Sequence, residues 1–558
     1  MTNDPVRSKM RLMFVMLTIV ALAACGTRER SSDADLVLYG AVWTGDSTNR
    51  EARGVAIDGD SIIAVGDSAS IAAHVGDSTR VITTAGLIVP GFADDHVHFS
   101  DGGFQLGYVD LRDAATPAEF TSRIKAYAAT LKPGEWIVGG TWDHELWPGA
   151  PLPQKEWIDS VTPDHPVFVQ RLDGHMGLAN SKALELAGIT SSTRDISGGT
   201  IVRAGREPTG VLKDEAMGPV FAIMPAPSAD QADSAVVRAM RFANSLGVTS
   251  VAAVSSPWSE VAAVRRARAN GTQTLRISLY PSLGDWRRVA DTVAVHGAGD
   301  EWIRLGGVKG YVDGSLGSTT ALFFEPYLDE PGQSGLMVTP EDSLRQWIGG
   351  ADSAGLQVVV HAIGERANSL LLDIFDSVST SHGARDRRFR IEHAQHLRPA
   401  EIARMAKSGV IASMQPYHAA DDGRWAWKRI RPAQIEGTYA FRSILDAGGR
   451  LMFGSDWVVA PIDPLLGIWA AVTRQTIDGK NPDGWVPSQK ITVEEALRAY
   501  TSSNAYGVFA EQRRGTLAAG KLADIAVIDR DIRNVPGDSI RTAKVTTTIV
   551  GGKVVFPR

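Results

Sequence analysis

The chain has 558 residues, of which 44% are hydrophobic and 22% charged, a composition typical of a soluble globular protein with two or more domains or one elaborated barrel. The formal net charge of −6, without a basic run or a stripe of aromatic and basic residues, argues against a nucleic-acid partner. The single cysteine excludes an intramolecular disulfide.

The first 25 residues have the pattern of a secretory signal. Three basic residues within 7–11 precede an apolar stretch over 12–21, which is too short to cross a bilayer comfortably. The sequence LAAC, which ends at Cys25, resembles the lipobox of bacterial lipoproteins, in which the cysteine carries the lipid. The alternative is a plain signal peptide cleaved near Ala24. We therefore expect an exported protein that is anchored to a membrane through lipid on Cys25 and faces the periplasm or the cell surface.

Short apolar runs separated by glycine predict β-strands near both ends of the chain. The N-terminal runs cover 36–39, 54–57 and 61–65, and the C-terminal runs cover 524–529 and 545–550. We infer that 33–90 and 507–558 together form one β-sandwich domain, with the middle of the chain inserted between them.

The middle of the chain, 91–506, alternates apolar runs with amphipathic helical stretches. This alternation predicts an α/β fold with a parallel sheet covered by helices, either doubly wound or closed into a (β/α)₈ barrel. The region from about 101 to 223 contains more strand and loop material than one barrel turn requires. We interpret it as an insertion that shapes the substrate side of the site.

The sequence GFADDHVH, at 91–98, follows an apolar run that predicts a strand. Side chains two residues apart on a strand point to the same face, so His96 and His98 would project together. Converging neutral imidazoles commonly hold a transition metal. An isolated pair of this kind is equally explained by chance, or by one buried structural histidine beside a surface one.

Four further polar residues occur in or directly after apolar runs, namely Lys309, His361, His393 and Asp456. In a parallel barrel, the carboxyl ends of the strands face one common mouth, where catalytic groups gather. A lone lysine here is more often a surface charge, and a lone aspartate is often a helix cap. Together with the histidine pair at 96–98, their order along the chain predicts a single site.

Several stretches between about 86 and 529 carry a resemblance to a known family. They are PGFADDHVH, GVKGYVDGSLGSTTALFFEPY, VVVHAIGERA, RIEHAQHL, SMQPYH, FGSDW and GTLAAGKLADIAVID, with TWDHELWP, RLDGHMGLANSKAL and PTGVL in the insertion. The chain resembles metal-dependent hydrolases of the amidohydrolase superfamily, in the branch (amidohydrolase family 3) that includes N-substituted formamide deformylases. This resemblance implies a (β/α)₈ TIM barrel with a flanking β-sandwich.

The resemblance also implies a site with two divalent metal ions, expected to be Zn²⁺. The implied ligands are His96, His98 and Asp456 for the first ion, and His361 and His393 for the second, with a carboxylated Lys309 bridging both. Asp456 would also act as the proton shuttle. N and O ligands of this kind suit zinc and other divalent ions.

Four further residues are weaker candidates. His418 in SMQPYH is expected at the mouth, with a catalytic role on the substrate or its oxyanion. The resemblance suggests that His175 contacts the substrate, although a structural role is equally open. Trp142 and Tyr311 could line the substrate pocket, although aromatic residues more often simply pack.

These observations predict a hydrolase of a carbon–nitrogen bond in a small non-peptide amide, formamide or cyclic amide. Hydrolysis of an ester or carbamate by the same site is one alternative. A lipoprotein that binds a ligand without turnover is another, but binding alone would not require Asp456. The sequence leaves a homo-oligomer open.

Overall fold

The computed structural model of the chain describes residues 33–48, 51–172, 174, 176–194, 196 and 199–557. The predicted signal segment with Cys25 and the candidate substrate residue His175 lie outside these residues. Within the described ranges, no helix has the length and apolar character needed to cross a membrane.

Strands and helices alternate along most of the described chain. The strands are β1 (Leu36–Trp43), β2 (Glu51–Asp58), β3 (Ser61–Gly66), β4 (Arg80–Pro90), β5 (Phe92–Val97), β6 (Val109–Asp110), β7 (Ile137–Trp142), β8 (Val167–Arg171), β9 (Met176–Ala179), β10 (Gly199–Ala204), β11 (Glu207–Asp214), β12 (Val248–Val254), β13 (Arg276–Tyr280), β14 (Ile303–Leu305), β15 (Gly307–Tyr311), β16 (Gln357–Ala362), β17 (Arg390–His393), β18 (Ile411–Met414), β19 (Arg450–Phe453), β20 (Ile525–Ile528), β21 (Val545–Val550) and β22 (Lys553–Phe556). The α-helices are α1 (Ser68–Ala72), α2 (Phe99–Gln105), α3 (Pro117–Ala128), α4 (Glu156–Asp159), α5 (Ser181–Leu186), α6 (Gly218–Ile223), α7 (Ala229–Ser245), α8 (Trp258–Ala269), α9 (Trp286–His296), α10 (Glu341–Ser353), α11 (Glu365–His382), α12 (Pro399–Ser408), α13 (Pro416–Asp422), α14 (Pro432–Ile435), α15 (Phe441–Asp446), α16 (Pro464–Thr473), α17 (Val493–Ala499) and α18 (Ser502–Gly507).

Strands from both ends of the chain form one seven-stranded sheet, in the order β22-β21-β20-β4-β1-β2-β3. Its central strand, β4, is parallel to β1 and antiparallel to β20. Successive side chains of a strand point to opposite faces. Leu87 and Val89 of β4 therefore pack into the main apolar cluster, whereas Ile88 packs into the cluster of the seven-stranded sheet itself. Both chain ends thus pair in one sheet, but a β-sandwich is not shown in the described residues and stays a prediction.

Two parallel sheets lie in the middle of the chain. Their strand orders are β14-β13-β12-β5 and β15-β16-β17-β18-β19, and neighbouring strands in each run parallel. Isolated parallel bridges join Val97 to Trp457 and Ser282 to Lys309, so the two sheets adjoin on both sides. The predicted α/β class is confirmed, whereas closure into a (β/α)₈ barrel stays a prediction.

The covering helices follow from their sequence pattern, as α7 illustrates. It begins with a capping box, in which the Ser228 hydroxyl accepts from the Gln231 N–H and the Gln231 side chain accepts from the Ser228 N–H. Its buried residues recur at spacings of three and four, which places them on one face: Ala232, Ala235, Val236, Ala239, Met240 and Ala243. That face joins the main apolar cluster around the parallel strands.

A separate six-stranded sheet lies within the predicted insertion, in the order β10-β11-β9-β8-β7-β6. It has an apolar core of its own, in which Trp142 and Trp147 pack edge-on against Phe120. Asp143, directly after β7, and Arg171, at the end of β8, line the large cavity beside the parallel sheets. This sheet therefore supplies part of the cavity wall.

A buried ion pair connects the seven-stranded sheet to the parallel strand β13. Arg276 donates from Nε and Nη2 to the two carboxylate oxygens of Asp524, at 2.7 and 2.9 Å, and both side chains are almost fully buried. We expect Asp524→Asn to lower the free energy of unfolding by about 3 kcal/mol, because the Arg276 charge would remain buried without a counter-ion. Denaturant unfolding measures this change.

The exposed pair between Glu301 and Arg513, at 2.9 Å, provides the control for this variant. Glu301→Gln should change the free energy of unfolding by less than about 1 kcal/mol, because solvent screens an exposed pair. Equal losses in the two variants would contradict a special role for the buried pair.

Candidate active site

All six predicted metal ligands line one cavity of about 440 Å³. They lie in or just after strands of the two parallel sheets: His96 in β5, His98 after β5, Lys309 in β15, His361 in β16, His393 in β17 and Asp456 after β19. Because carboxyl ends of parallel strands lie at the same edge of a sheet, these side chains converge. The structure thus brings together the residues that the sequence marked separately.

Three of the histidines are oriented by one hydrogen bond each. The contacts are His96 Nδ1 to Glu392 Oε2 at 2.5 Å, His361 Nε2 to the Gly314 carbonyl at 2.9 Å, and His393 Nδ1 to Gln415 Oε1 at 2.8 Å. A neutral imidazole has one N–H, and each of these rings donates it to the protein. The other ring nitrogen keeps its lone pair, which is what a metal ligand needs.

Asp456 lies between the histidines from the two sheets. Its Oδ1 is 3.3 Å from His98 Nε2 and 3.5 Å from His96 Nε2, and its Oδ2 is 3.9 Å from His418 Nε2. Asp456 Oδ1 and His418 Nε2 are buried and lack a hydrogen-bond partner within the described residues. The backbone at Asp456 has a φ of +60°, an uncommon conformation for a non-glycine residue that clusters at functional sites.

The spacing of these atoms fits bound metal. Two groups have ligand atoms within 4.8 Å of one another, His96 with His98 and Asp456, and His393 with His418 and Asp456. His361 belongs to neither group, although its ring centroid is 4.4 Å from that of His393. The orphaned Asp456 Oδ1 and the lone pairs of the oriented imidazoles supply a donor set that a divalent cation satisfies.

Lys309 is buried beside these rings, with a relative exposure of 1%. Its Nζ is 3.5 Å from His96 Nε2 and 4.4 Å from the centroid of the Tyr311 ring. Tyr311 also lines the cavity, and its hydroxyl is 2.6 Å from Ser255 Oγ. Within the described residues, no carboxylate forms an ion pair with Lys309.

The histidines of the site differ in their pKa values. Burial lowers the pKa of His96 to about 4 and that of His361 to about 3, with the Lys309 charge adding to the effect, and it lowers the pKa of His393 well below its usual value. Burial opposes protonation of His98 as well, but the Asp456 carboxylate at 3.3 Å and the nearby Tyr311 together outweigh it and raise the pKa of His98 to about 9. Burial opposes ionisation of Asp456, yet His96 and His98 hold the pKa of this carboxyl well below its usual range.

The sequence did not mark the residues that orient these rings. Glu392 accepts a hydrogen bond from His96, which is 296 residues earlier in the sequence, and Gln415 accepts one from His393, which is 22 residues earlier. Glu392 also accepts from Arg390 at 2.8 Å, and both of these charged side chains are fully buried. The available signal was a pair of opposite charges two residues apart within a predicted strand, which places both on one face.

The remaining predicted residues lie in different surroundings. His418, in α13, and Tyr311 line the cavity. Trp142 does not line it: the indole is fully buried in the core of the six-stranded sheet, where its Nε1 donates to the Val169 carbonyl at 2.9 Å. The neighbouring Asp143 reaches the cavity instead. His175 lies outside the described residues.

The chain is similar to known proteins over almost its whole length. A model described as the amidohydrolase family matches residues 85–556. Protein LONG AFTER FAR-RED 3 of Arabidopsis thaliana is 39% identical over 536 residues, covering 94% of this chain and 91% of that protein. The N-substituted formamide deformylase of Arthrobacter pascens is 28% identical, over 94% of this chain and 98% of the enzyme. A metal-dependent hydrolase from Pyrococcus horikoshii matches in structure with a TM-score of 0.73 and 27% identity, over 90% of this chain and 99% of that one.

We expect the metal affinity of the site to depend on Glu392. Its Oε2 accepts from His96 and from Ser413, while its Oε1 accepts from Arg390. In Glu392→Gln, the new NH₂ group would face either a guanidinium or the His96 N–H, so the ring would lose its orientation. Affinity for Zn²⁺ should fall by about 10- to 100-fold.

Competition with a chromophoric chelator measures this affinity without turnover. Glu401→Gln is the matched control, because Glu401 is paired with Arg398 and does not line the cavity. The orienting role of Glu392 is wrong if both variants bind Zn²⁺ like the wild type.

The metal-free protein should lose stability as the pH falls below about 6.5, the ordinary pKa of histidine. In the folded chain, His96 takes up a proton only near pH 4 and His361 only near pH 3. Between about pH 6.5 and these lower values, the unfolded chain therefore binds more protons than the folded chain does. Their contribution is present above pH 6.5 and is lost as the pH falls, by about 1.4 kcal/mol per unit for each ring. His98, with a raised pKa, is ionised in the folded chain throughout this range, so it opposes this slope only within about one unit of pH 6.5, where the unfolded ring still titrates.

Denaturant unfolding between pH 6.5 and 4.5 measures this slope. His361→Asn should reduce this slope by about 1.4 kcal/mol per pH unit, the contribution of one proton. The difference between the two proteins isolates the histidine from the carboxylates that also titrate in this range. An unchanged slope in that variant would show that His361 is not held neutral.

Proposed function

The chain belongs to the amidohydrolase family and is a metal-dependent hydrolase, and from that premise we propose that it cleaves a carbon–nitrogen bond in a small amide, formamide or cyclic amide. The observation that supports this most is Asp456, whose buried Oδ1 adjoins His96 and His98 while its Oδ2 adjoins His418. Similarity to an N-substituted formamide deformylase supports the type of bond. Hydrolysis of an ester or carbamate by the same site is the alternative.

The proposed architecture is a (β/α)₈ barrel with a flanking β-sandwich. The bridges from Val97 to Trp457 and from Ser282 to Lys309 support closure, because they join the two parallel sheets on both sides. The barrel would span 91–506, with the insertion at about 101–223. Residues 33–90 and 507–558 would form the flanking domain.

The proposed cofactor is a pair of divalent ions, with Zn²⁺ favoured by the N and O donors. His96, His98 and Asp456 would hold the first ion. His361 and His393 would hold the second, and Lys309, carboxylated by CO₂, would bridge both. Such ions supply a water ligand that ionises near neutral pH and polarise the scissile carbonyl.

The remaining chemistry falls to side chains of the chain. Asp456 would take the proton of the attacking water and pass it to the leaving nitrogen, which must be protonated before it departs as an amine. His418 faces Asp456 Oδ2 and would donate to the substrate or its oxyanion. Tyr311, at the end of β15 and hydrogen-bonded to Ser255, would contact the substrate from the cavity wall.

A substrate panel tests this function. The metal-loaded protein is given N-alkylformamides, acetamides, cyclic amides and the corresponding esters and carbamates, and released amine, acid or alcohol is quantified. Faster turnover of the amides supports carbon–nitrogen hydrolysis. Turnover of the esters alone would overturn it in favour of the alternative.

The Lys309→Ala variant distinguishes a site with two bridged metal ions from a site with one ion. We expect loss of most activity and of much of the metal, because the ions would lose their shared anion, with partial recovery in high acetate or propionate. Asp456→Asn should keep most metal while kcat falls by at least about 100-fold. Metal analysis and kinetics distinguish the two variants, and full activity of Lys309→Ala with two bound ions would contradict the bridge.

We also propose that the protein is exported and lipid-anchored through Cys25, supported by the signal-like segment and the LAAC sequence. Cys25→Ser should remain uncleaved or leave the membrane fraction, because serine cannot form the thioether to lipid. Lipid labelling with membrane fractionation measures this, and wild-type behaviour of the variant would refute the anchor.

A further inference from the structure

The charged side chains of the outer cavity wall are mostly paired with one another. Three arginines are each neutralised by a carboxylate: Arg171 by Asp143 at 3.0 Å, Arg424 by Asp421, and Arg429 by Asp329 at 3.0 Å. Glu145 and Lys428 are exposed at the mouth and have opposite charges. These groups leave the outer wall close to neutral.

Asp422 is the exception on this wall. In the described part of the chain, no basic side chain forms an ion pair with it. Its Oδ2 accepts from Tyr439 Oη at 2.7 Å and from Gln395 Nε2 at 2.8 Å. Its Oδ1 has no hydrogen-bond partner among the described residues, and Asp422 and Gln395 both line the cavity. One carboxylate oxygen is therefore fixed by the protein, and the other remains available to a bound molecule.

The surroundings of Asp422 favour a cationic partner. Burial raises the pKa of Asp422 to about 7, with the charge of Asp421 also raising it and that of Arg424 lowering it. A positively charged group at Oδ1 would supply the counter-charge that the wall lacks. A charge-assisted hydrogen bond to a carboxylate is also stronger than a neutral one.

The position of Asp422 on α13 bears on which part of the substrate it would contact. It lies four residues after His418 on α13, so the two side chains share a helix face about 6 Å apart along the axis. His418 adjoins Asp456 Oδ2, whereas Asp456 Oδ1 adjoins His96 and His98. If Asp456 releases the proton from Oδ2, the leaving nitrogen lies on the His418 side, and the amine portion of the substrate would extend along α13.

We propose that Asp422, held by Tyr439 and Gln395, is a subsite for a second, positively charged nitrogen on the amine portion of the substrate. The substrate class is then the mono-N-acyl diamines, which release a diamine on hydrolysis. This inference rests on the proposed hydrolysis of an amide and adds the feature that selects among amides.

Matched pairs of formamides test the subsite. N-(ω-aminoalkyl)formamides with two to five methylene groups are compared with N-alkylformamides of the same length, in which a methyl group replaces the ammonium. The metal-loaded wild type should prefer the ammonium member by at least about tenfold in kcat/KM, because the alkyl member leaves the half-buried Asp422 carboxylate without a counter-charge. Asp422→Asn should reduce this ratio to near one and leave kcat/KM for the alkylformamide within about threefold.

Tyr439→Phe is the control, because it removes a donor to Oδ2 and keeps the carboxylate. A merely structural Asp422 would make the two variants alike on both series, whereas the subsite predicts that Tyr439→Phe keeps the preference. Turnover of both series without any preference would overturn the subsite and leave amide hydrolysis intact. Turnover of neither series would count against amide hydrolysis instead.

Calorimetry with butane-1,4-diamine tests the subsite even without turnover. The wild type should bind this diamine at least about tenfold more tightly than Asp422→Asn does, and Tyr439→Phe should bind it like the wild type. Equal binding by wild type and Asp422→Asn would overturn the proposal.

Discussion

Burial of the imidazoles is the constraint on which the site depends. His96 and His361 stay neutral because burial disfavours the charged ring, and the nearby Lys309 charge opposes their protonation further. Neutral rings can rotate, so orientation requires an acceptor for each N–H, and the acceptors must themselves be buried. Glu392 meets this requirement only because Arg390 balances its charge, since an unpaired buried carboxylate would cost several kcal/mol. The support of His96, in β5, thus comes from β17 of the other parallel sheet.

The strands and the predicted ligands could be inferred from the sequence because both follow local rules. Apolar runs predicted β16 and β17, whereas the run over 87–90 is the end of β4 and His96 lies in the next strand, β5. The polar residues at the ends of β5, β16 and β17 share one cavity because parallel strands end at one edge. The partners of the rings were not predictable in this way. Glu392 contacts His96 from another sheet, and only tertiary packing determines that contact. Trp142 shows the opposite difficulty: an aromatic residue beside a loop motif can line a pocket but more often packs in a core, as Trp142 does in the inserted sheet.

The predicted metal ligands and the outer wall of the cavity come from different parts of the fold. The strands of the parallel sheets carry the predicted ligands, which are held by regular hydrogen-bond ladders. The outer wall comes from the inserted sheet, through Asp143 and Arg171, and from α13 and the segment after it. Loops and short helices can change without disturbing a ladder, so the same ligand set is compatible with many substrates. The proposed substrate class therefore rests on a charge of the wall, that of Asp422.

The pairing of β4 has a consequence for synthesis of the chain on the ribosome. β4 leads directly into β5 and His96, but its antiparallel neighbour β20 is translated only after both parallel sheets are complete. Until then, β4 presents an open edge, and Leu87 and Val89 have only part of the core against which they finally pack. An open strand edge with apolar side chains is prone to pair with other chains. One edge of β4 therefore stays unpaired until β20 has been translated, a period in which a chaperone that shields strand edges would act on the nascent chain.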